Sequence, residues 1–262
     1  MGLAHRIPAP PLSNFVALFW SFDGDAPPHT RERLLPTATM DLVVRLDGGR
    51  AAAGVSGARS AFFEIDATQL TSVVGVHFKP GGGFPFFEPP AGALRDLRVP
   101  LDALWGCFAE TLSQRLLEAQ TPEMRFHILE RALLDQSRGR LAGHPGVRWA
   151  IAQLGAIPCR SVTDVVEDIG IGAKRFTRIF CDEVGVTPKL YARIRRFQHA
   201  LAVVERDSDV DWTDVALACG YFDQAHFNHD FRRFCGISPS TYLRQRTSRN
   251  HVAVSGGRSP SA

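Results

Sequence analysis

The sequence predicts an α+β chain with a β-rich N-terminal half, barrel or sandwich-like, followed by an all-α half. Three observations predict it. Two stretches fifty residues apart repeat one helical pattern. Residues 12–99 instead carry short apolar runs punctuated by glycine and proline. The charge also divides: residues 1–139 hold 13 Lys/Arg against 15 Asp/Glu, and residues 140–262 hold 17 against 12. The expected divisions are 1–139 for the β-rich part with its helical extension, 140–246 for the helical part, and 247–262 for a Ser/Gly-rich, disordered tail.

In chain order, Phe15-Val16-Ala17-Leu18-Phe19-Trp20 suits a buried strand. Met40 to Leu46 is a second strand, running into an Asp47-Gly48-Gly49 turn. Phe62 to Ile65 is a shorter one. Val73 to Lys79 alternates, with Val74, Val76 and Phe78 on one face and His77 and Lys79 on the other. Pro80-Gly81-Gly82-Gly83 lacks the Lys-Ser/Thr of a phosphate loop and reads as a wide turn. From Leu101 to about Ala119 the spacing turns helical, with Leu101, Leu104, Phe108, Leu112 and Leu116 in one stripe. A second helix runs from Pro122 to about Leu134, and Ser137-Arg138-Gly139-Arg140 is the expected linker.

The repeat carries the helical half. Ser161 to Gly170 and Asp211 to Gly220 each open with a capping residue and an acidic residue three later, and each ends on glycine. Apolar side chains fall at 162, 165, 166, 169 and at 212, 215, 216, 219, the stripe of an amphipathic helix. The match continues through Phe176 and Phe180, paired with Phe227 and Phe231. It then reaches Gly185-Val186-Thr187-Pro188, paired with Gly236-Ile237-Ser238-Pro239. Each unit reads as helix, glycine turn, helix, glycine stop and a proline-started helix, a helix-turn-helix arrangement. From Pro188 to about Arg206, a joining helix places Ile194, Phe197, Leu201 and Val204 on one apolar face.

The second helix of each unit keeps a face its core does not use. In the first unit this face holds Lys174, Arg175, Thr177 and Arg178; in the second, Gln224, His226, Asn228 and His229. Arg and Lys match guanine edges in the major groove, while Gln and Asn match adenine. Arg196 and Arg232, with Arg193, Arg195, Arg233, Arg244 and Arg246, are expected to supply charge to phosphates.

Gly220-Tyr221-Phe222-Asp223-Gln224-Ala225-His226-Phe227, with Phe231-Arg232-Arg233-Phe234, Gly236-Ile237-Ser238-Pro239 and Tyr242-Leu243-Arg244, resembles the C-terminal signature of AraC/XylS-type transcription regulators. The resemblance runs from near His144 to Arg246 and spans both units. It implies two recognition helices in successive major grooves, with base contacts on Lys174, Thr177 and Arg178, then on Gln224, His226, Asn228 and His229. Gly172-Ala173 departs from the usual first turn, and His229 stands where Arg is common. Leu34-Leu35-Pro36 through Val44, Val74 through Gly82, Leu94-Arg95-Asp96 and Pro100 to Trp105 resemble an N-terminal domain found in a subset of these regulators, with no ligand implied.

The expected partners are double-stranded DNA, a small-molecule effector and a second copy of the chain, with no membrane, and the expected compartment is the cytoplasm. An enzymatic or ligand-carrying N-terminal half tethered to DNA, and an effector-free regulator, are the alternatives. No catalytic constellation and no cofactor motif stand out. Five scattered cysteines do not form a disulfide framework. Cys219, His226, His229 and Cys235 fall on different helix faces and predict no metal site, while Cys107 and Cys181 are expected to be packed thiols.

Overall fold

Alternating side chains in the N-terminal half build two antiparallel sheets, seen in a computed structural model that describes residues 2–25, 29–69, 71–137, 139–157, 159–206 and 211–254. The first sheet contains β1 (Leu3–Arg6), β2 (Val16–Asp23), β4 (Asp41–Asp47), β5 (Arg50–Ser56), β7 (Ser72–Phe78) and β8 (Arg98–Pro100), in the order β1-β2-β7-β4-β5-β8. The second contains β3 (Arg31–Leu34), β6 (Phe63–Asp66), β9 (Arg246–Ser248) and β10 (His251–Ala253), in the order β6-β3-β10-β9. Among the described residues the sheets do not close into a barrel. The expected Asp47-Gly48-Gly49 turn joins β4 to β5, with both glycines at positive φ.

On one face of the first sheet Phe19, Leu42, Val44, Val55, Val74, Val76 and Phe78 are buried. They pack against α1 (Asp102–Trp105), α2 (Cys107–Glu118) and α3 (Pro122–Ser137). The stripe expected as one helix over Leu101 to Ala119 is broken at Gly106, whose φ of 57° admits glycine readily. The Gly81-Gly82 turn is set by close approach. A Cβ on Gly82 would lie 2.0 Å from the Phe15 carbonyl oxygen, and one on Gly81 would lie 2.9 Å from Ile151.

The helical half comprises α4 (Pro145–Gly155), α5 (Val162–Ile169), α6 (Ala173–Val184), α7 (Pro188–Arg206), α8 (Trp212–Ala218), α9 (Gln224–Cys235) and α10 (Pro239–Gln245). Its core includes Leu35, Ala38 and Ala58 from the N-terminal half, so the two halves share packed surface. The Gln198 amide donates to the Pro36 carbonyl at 2.8 Å, and Arg33 donates to the Cys235 carbonyl at 2.9 Å.

The expected linker has Arg138 outside the described residues. The expected disordered tail needs a correction over its first part. Residues 246–253 form the β9–β10 hairpin, and β10 pairs antiparallel with β3. Val252 is buried, which supplies an apolar anchor that the polar composition of the segment obscures. Residues 255–262 lie outside the described residues.

Candidate nucleic-acid interface

Each reading helix is positioned by its own first helix and by α7. In the first unit the Ser161 hydroxyl accepts the Asp164 amide and caps α5, while Gly170 ends it at φ 72°. In the second, Asp211 caps α8. Gly220, at φ 75°, lets its own amide and that of Tyr221 bond back to Leu217 and Ala216. Asp223 caps α9 through the His226 amide at 2.7 Å, whereas Gly172 offers α6 no side-chain cap.

Phe176, Phe180 and Val184 bury one face of α6, and Phe227, Phe231 and Phe234 bury that of α9. The Phe197 ring from α7 lies 5.3 Å from both Phe231 and Phe234. These contacts leave Lys174, Arg175 and Arg178 exposed on α6 and Thr177 half-buried. On α9 they leave Gln224, His226, His229, Arg232 and Arg233 exposed and Asn228 half-buried. The expected readers therefore lie around the part of each helix that its core leaves uncovered. At about 1.5 Å per residue, the 19 residues of α7 span about 28 Å, against about 34 Å for one turn of B-DNA.

Arg196, expected to supply charge to phosphates, also has a partner within the fold. Its guanidinium donates to the Gly220 carbonyl at 3.0 Å and lies 5.2 Å from the Tyr221 ring centre, holding the turn of the second unit. Arg193 is likewise occupied, by the buried carboxylate of Asp230, and Arg246 donates to the Val204 carbonyl. Helical position alone suggested solvent-facing charge at these sites. The Tyr221 ring and the helix-end carbonyl that claim Arg196 become neighbours only in the folded unit.

Phe222, 87 % exposed in the turn before α9, was missed as a candidate. The signal available was a large aromatic just outside the buried stripe. Cys219 and Cys235 are buried, with thiols pushed up to about 11 and about 12 by burial. His226 and His229 are exposed on α9. Cys107 is exposed rather than packed, because the Gly106 break turns it out at the start of α2.

Residues 165–245 match a family profile described as a helix-turn-helix domain. The helical half carries an AraC-type helix-turn-helix domain. Residues 4–100 match a profile described as a domain of unknown function, DUF6597. The AraC-type segment is 29 % identical over 79 residues to the HTH-type transcriptional regulator ExsA of Pseudomonas aeruginosa, covering 30 % of this chain and 28 % of ExsA. It is 30 % identical over 83 residues to the probable transcriptional regulator LumQ of Photobacterium leiognathi, covering 31 % of this chain and 33 % of LumQ. The chain thus spans a third or less of the length of these relatives. Among solved structures, the C-terminal domain of AraT, a response regulator from Geobacillus stearothermophilus, aligns at a TM-score of 0.37 and 22 % identity, covering 39 % of this chain and 87 % of that one. ToxT from Vibrio cholerae aligns at 0.43 and 7 %, covering 95 % of this chain and all of that one. No helix among the described residues is long and apolar enough to cross a membrane.

Proposed function

We propose that the chain is a sequence-specific, DNA-binding transcription regulator that answers to a small-molecule effector through its β-rich half. One observation carries the reading. Two copies of a helix-turn-helix unit, joined by α7, each bury the aromatic face of the second helix and turn its polar face outward. Lys174, Arg175, Thr177 and Arg178 are the readers of the first half-site; Gln224, His226, Asn228 and His229 are those of the second. Arg232, exposed near the end of α9, is a phosphate contact. Residues 1–139 act as the sensory and dimerising part, and residues 140–246 as the reader. The work is regulation rather than catalysis, carried out in the cytoplasm with no membrane and no cofactor.

Response to an effector has a route in the fold. The turn at Ala91–Leu94 packs on α6, where a Cβ on Gly92 would lie 3.1 Å from the Cys181 carbonyl oxygen. Gly236, at the end of α9, sits against Phe62 and Arg33. The N-terminal half therefore touches both reading helices away from their exposed faces. The test is a titration of the full chain against duplex DNA from the host genome. Affinity should fall by orders of magnitude between about 50 and about 200 mM salt as counterions are released. Absence of salt-sensitive duplex binding by the folded chain would refute the reading.

A further inference from the structure

The two helix-turn-helix units differ in length by one residue between their helices, and the fold identifies it. Phe176 follows Gly170 by six positions, whereas its counterpart Phe227 follows Gly220 by seven. Ile171 and Tyr221, each next after its glycine, both turn inward: Ile171 packs against the helical core, and Tyr221 is 3 % exposed. Gly172 and Asp223 are the cap residues of α6 and α9. The residue with no counterpart is therefore Phe222, inserted between the buried tyrosine and the cap. At 87 % it is more exposed than any other large apolar side chain among the described residues.

Phe222 has no packing role that would explain it. An apolar residue just before a helix cap commonly packs back on the fourth helical residue. On α9 that residue is Phe227, and Tyr221 already covers it, with ring centres 5.2 Å apart. Phe222 makes no ring contact among the described residues. Both its flanks are held, since Arg196 donates to the Gly220 carbonyl at 3.0 Å and Asp223 accepts the His226 amide at 2.7 Å. The ring is thus presented from a fixed turn, with only its own two torsions left to order on binding, and such a contact costs little entropy.

The place of Phe222 says what the ring meets. It stands at the N-terminal end of α9, two residues before Gln224 and three before Ala225. Ala225, Asn228, His229, Arg232 and Arg233 line one shallow depression along that helix. Arg232 and Arg233 give this surface the charge that suits a polyanion. A recognition helix lies in the major groove with its N-terminal residues at the base edges. The apolar group that a base edge offers there is the C5 methyl of thymine, and phenylalanine is among the side chains that contact it.

We propose that Phe222 reads a thymine of the second half-site through its C5 methyl. The inference rests on the DNA-binding reading and adds an apolar reader to its polar ones. The first unit, one residue shorter, has nothing at this position to set the same preference. Because the contact buries apolar surface and neutralises no phosphate, it changes affinity without changing the salt slope.

The test uses the full chain and a duplex carrying the site that this chain enriches from the host genome. Each thymine of the second half-site is replaced in turn by uracil, which removes the methyl and leaves the pairing edge intact. Wild type should bind one of these duplexes about fourfold more weakly, the worth of one buried methyl, with an unchanged salt slope. Phe222→Ala truncates an exposed side chain and should keep the wild-type melting temperature. It should bind the thymine duplex more weakly than wild type by at least the same factor, and should bind the thymine and uracil duplexes equally. A second half-site that lacks thymine, wild-type indifference to uracil at every position, or the same uracil penalty in Phe222→Ala would overturn the contact. So would a Phe222→Ala protein that regulates poorly in cells at unchanged affinity for the site, since the ring would then face a protein partner. Failure of the DNA-binding reading shows at the unmodified duplex, as no specific binding by folded wild type, and takes this inference with it. Failure of this inference alone shows only in the uracil series and in Phe222→Ala.

Discussion

Arg193 on the joining helix and Asp230 in the middle of the second reading helix form an ion pair in which the carboxylate is 1 % exposed and the arginine side chain 21 %. The pair ties α7 to α9 beneath the face that carries Gln224 and His229. Removing one partner from a buried pair leaves an uncompensated charge. Arg193→Met should therefore lower stability by about 3–5 kcal/mol, measured by urea unfolding. Arg193→Met with Asp230→Leu should recover much of that loss, because no charge is then left buried. A double variant no more stable than Arg193→Met would show that the pair is not what fixes α9.

Readers and supports should separate in binding assays. Arg178→Ala or Gln224→Ala should cost about 1–3 kcal/mol and relax preference at one or two base pairs. Arg232→Ala should weaken all sequences alike and reduce the salt slope. Arg196→Ala should behave differently from both, lowering the melting temperature because the Gly220 carbonyl and Tyr221 lose their partner. A flattened salt slope with unchanged stability would return Arg196 to the phosphate contacts.

The β9–β10 hairpin is pinned to the N-terminal half through Glu32, which accepts from Thr247 at 2.8 Å and lies 3.3 Å from His251 and 3.8 Å from His29. Burial alone would raise the Glu32 pKa, but hydrogen bonds from His251 and Thr247, with the nearby histidine charges, outweigh it and the net shift is downward from 4.5. A carboxylate with a depressed folded pKa contributes its full stability above the unfolded value and loses it as pH falls through the folded one. The hairpin should loosen as pH falls below 4.5 and through the depressed Glu32 pKa, seen as faster amide exchange at Val252, and Glu32→Gln should abolish that acid step. Identical exchange profiles for the two proteins would show that Glu32 does not hold the hairpin.

The shared core makes the helical half dependent on the rest of the chain. A fragment of residues 140–246 loses Leu35, Ala38 and Ala58 from its core and the Gln198 bond to Pro36. It should unfold several degrees below the full chain, and Gly236→Ala, forced against Phe62 at 2.5 Å, should shift the full chain in the same direction. Equal melting temperatures for fragment and full chain would show that the halves are energetically independent.

Local patterns made part of this legible. The period of two in β7 and the period of 3.6 in α7 each report a buried face directly, and the twin caps and glycine stops marked both helix-turn-helix units. β3 and β10 gave no such signal. β3 is four residues, three of them charged, β10 is only three residues long, and their pairing joins segments more than 200 residues apart in sequence. The break at Gly106 was visible as a glycine inside the helical stripe. The exposed sets on α6 and α9 were readable because phenylalanine spacing assigns the buried face by itself. The roles of Arg193 and Arg196 were not, because their partners arrive from other helices.

The most direct test of the central claim is selection of host-genome fragments by the purified full chain, run beside the Arg178→Ala/Gln224→Ala double variant. Wild type should enrich a few discrete sites containing two half-sites about one helical turn apart, near 10 base pairs centre to centre. The double variant should lose preference within both half-sites while retaining weak, salt-sensitive binding to all DNA. Enrichment of the same sites by both proteins, or no enrichment by folded wild type, would contradict the account.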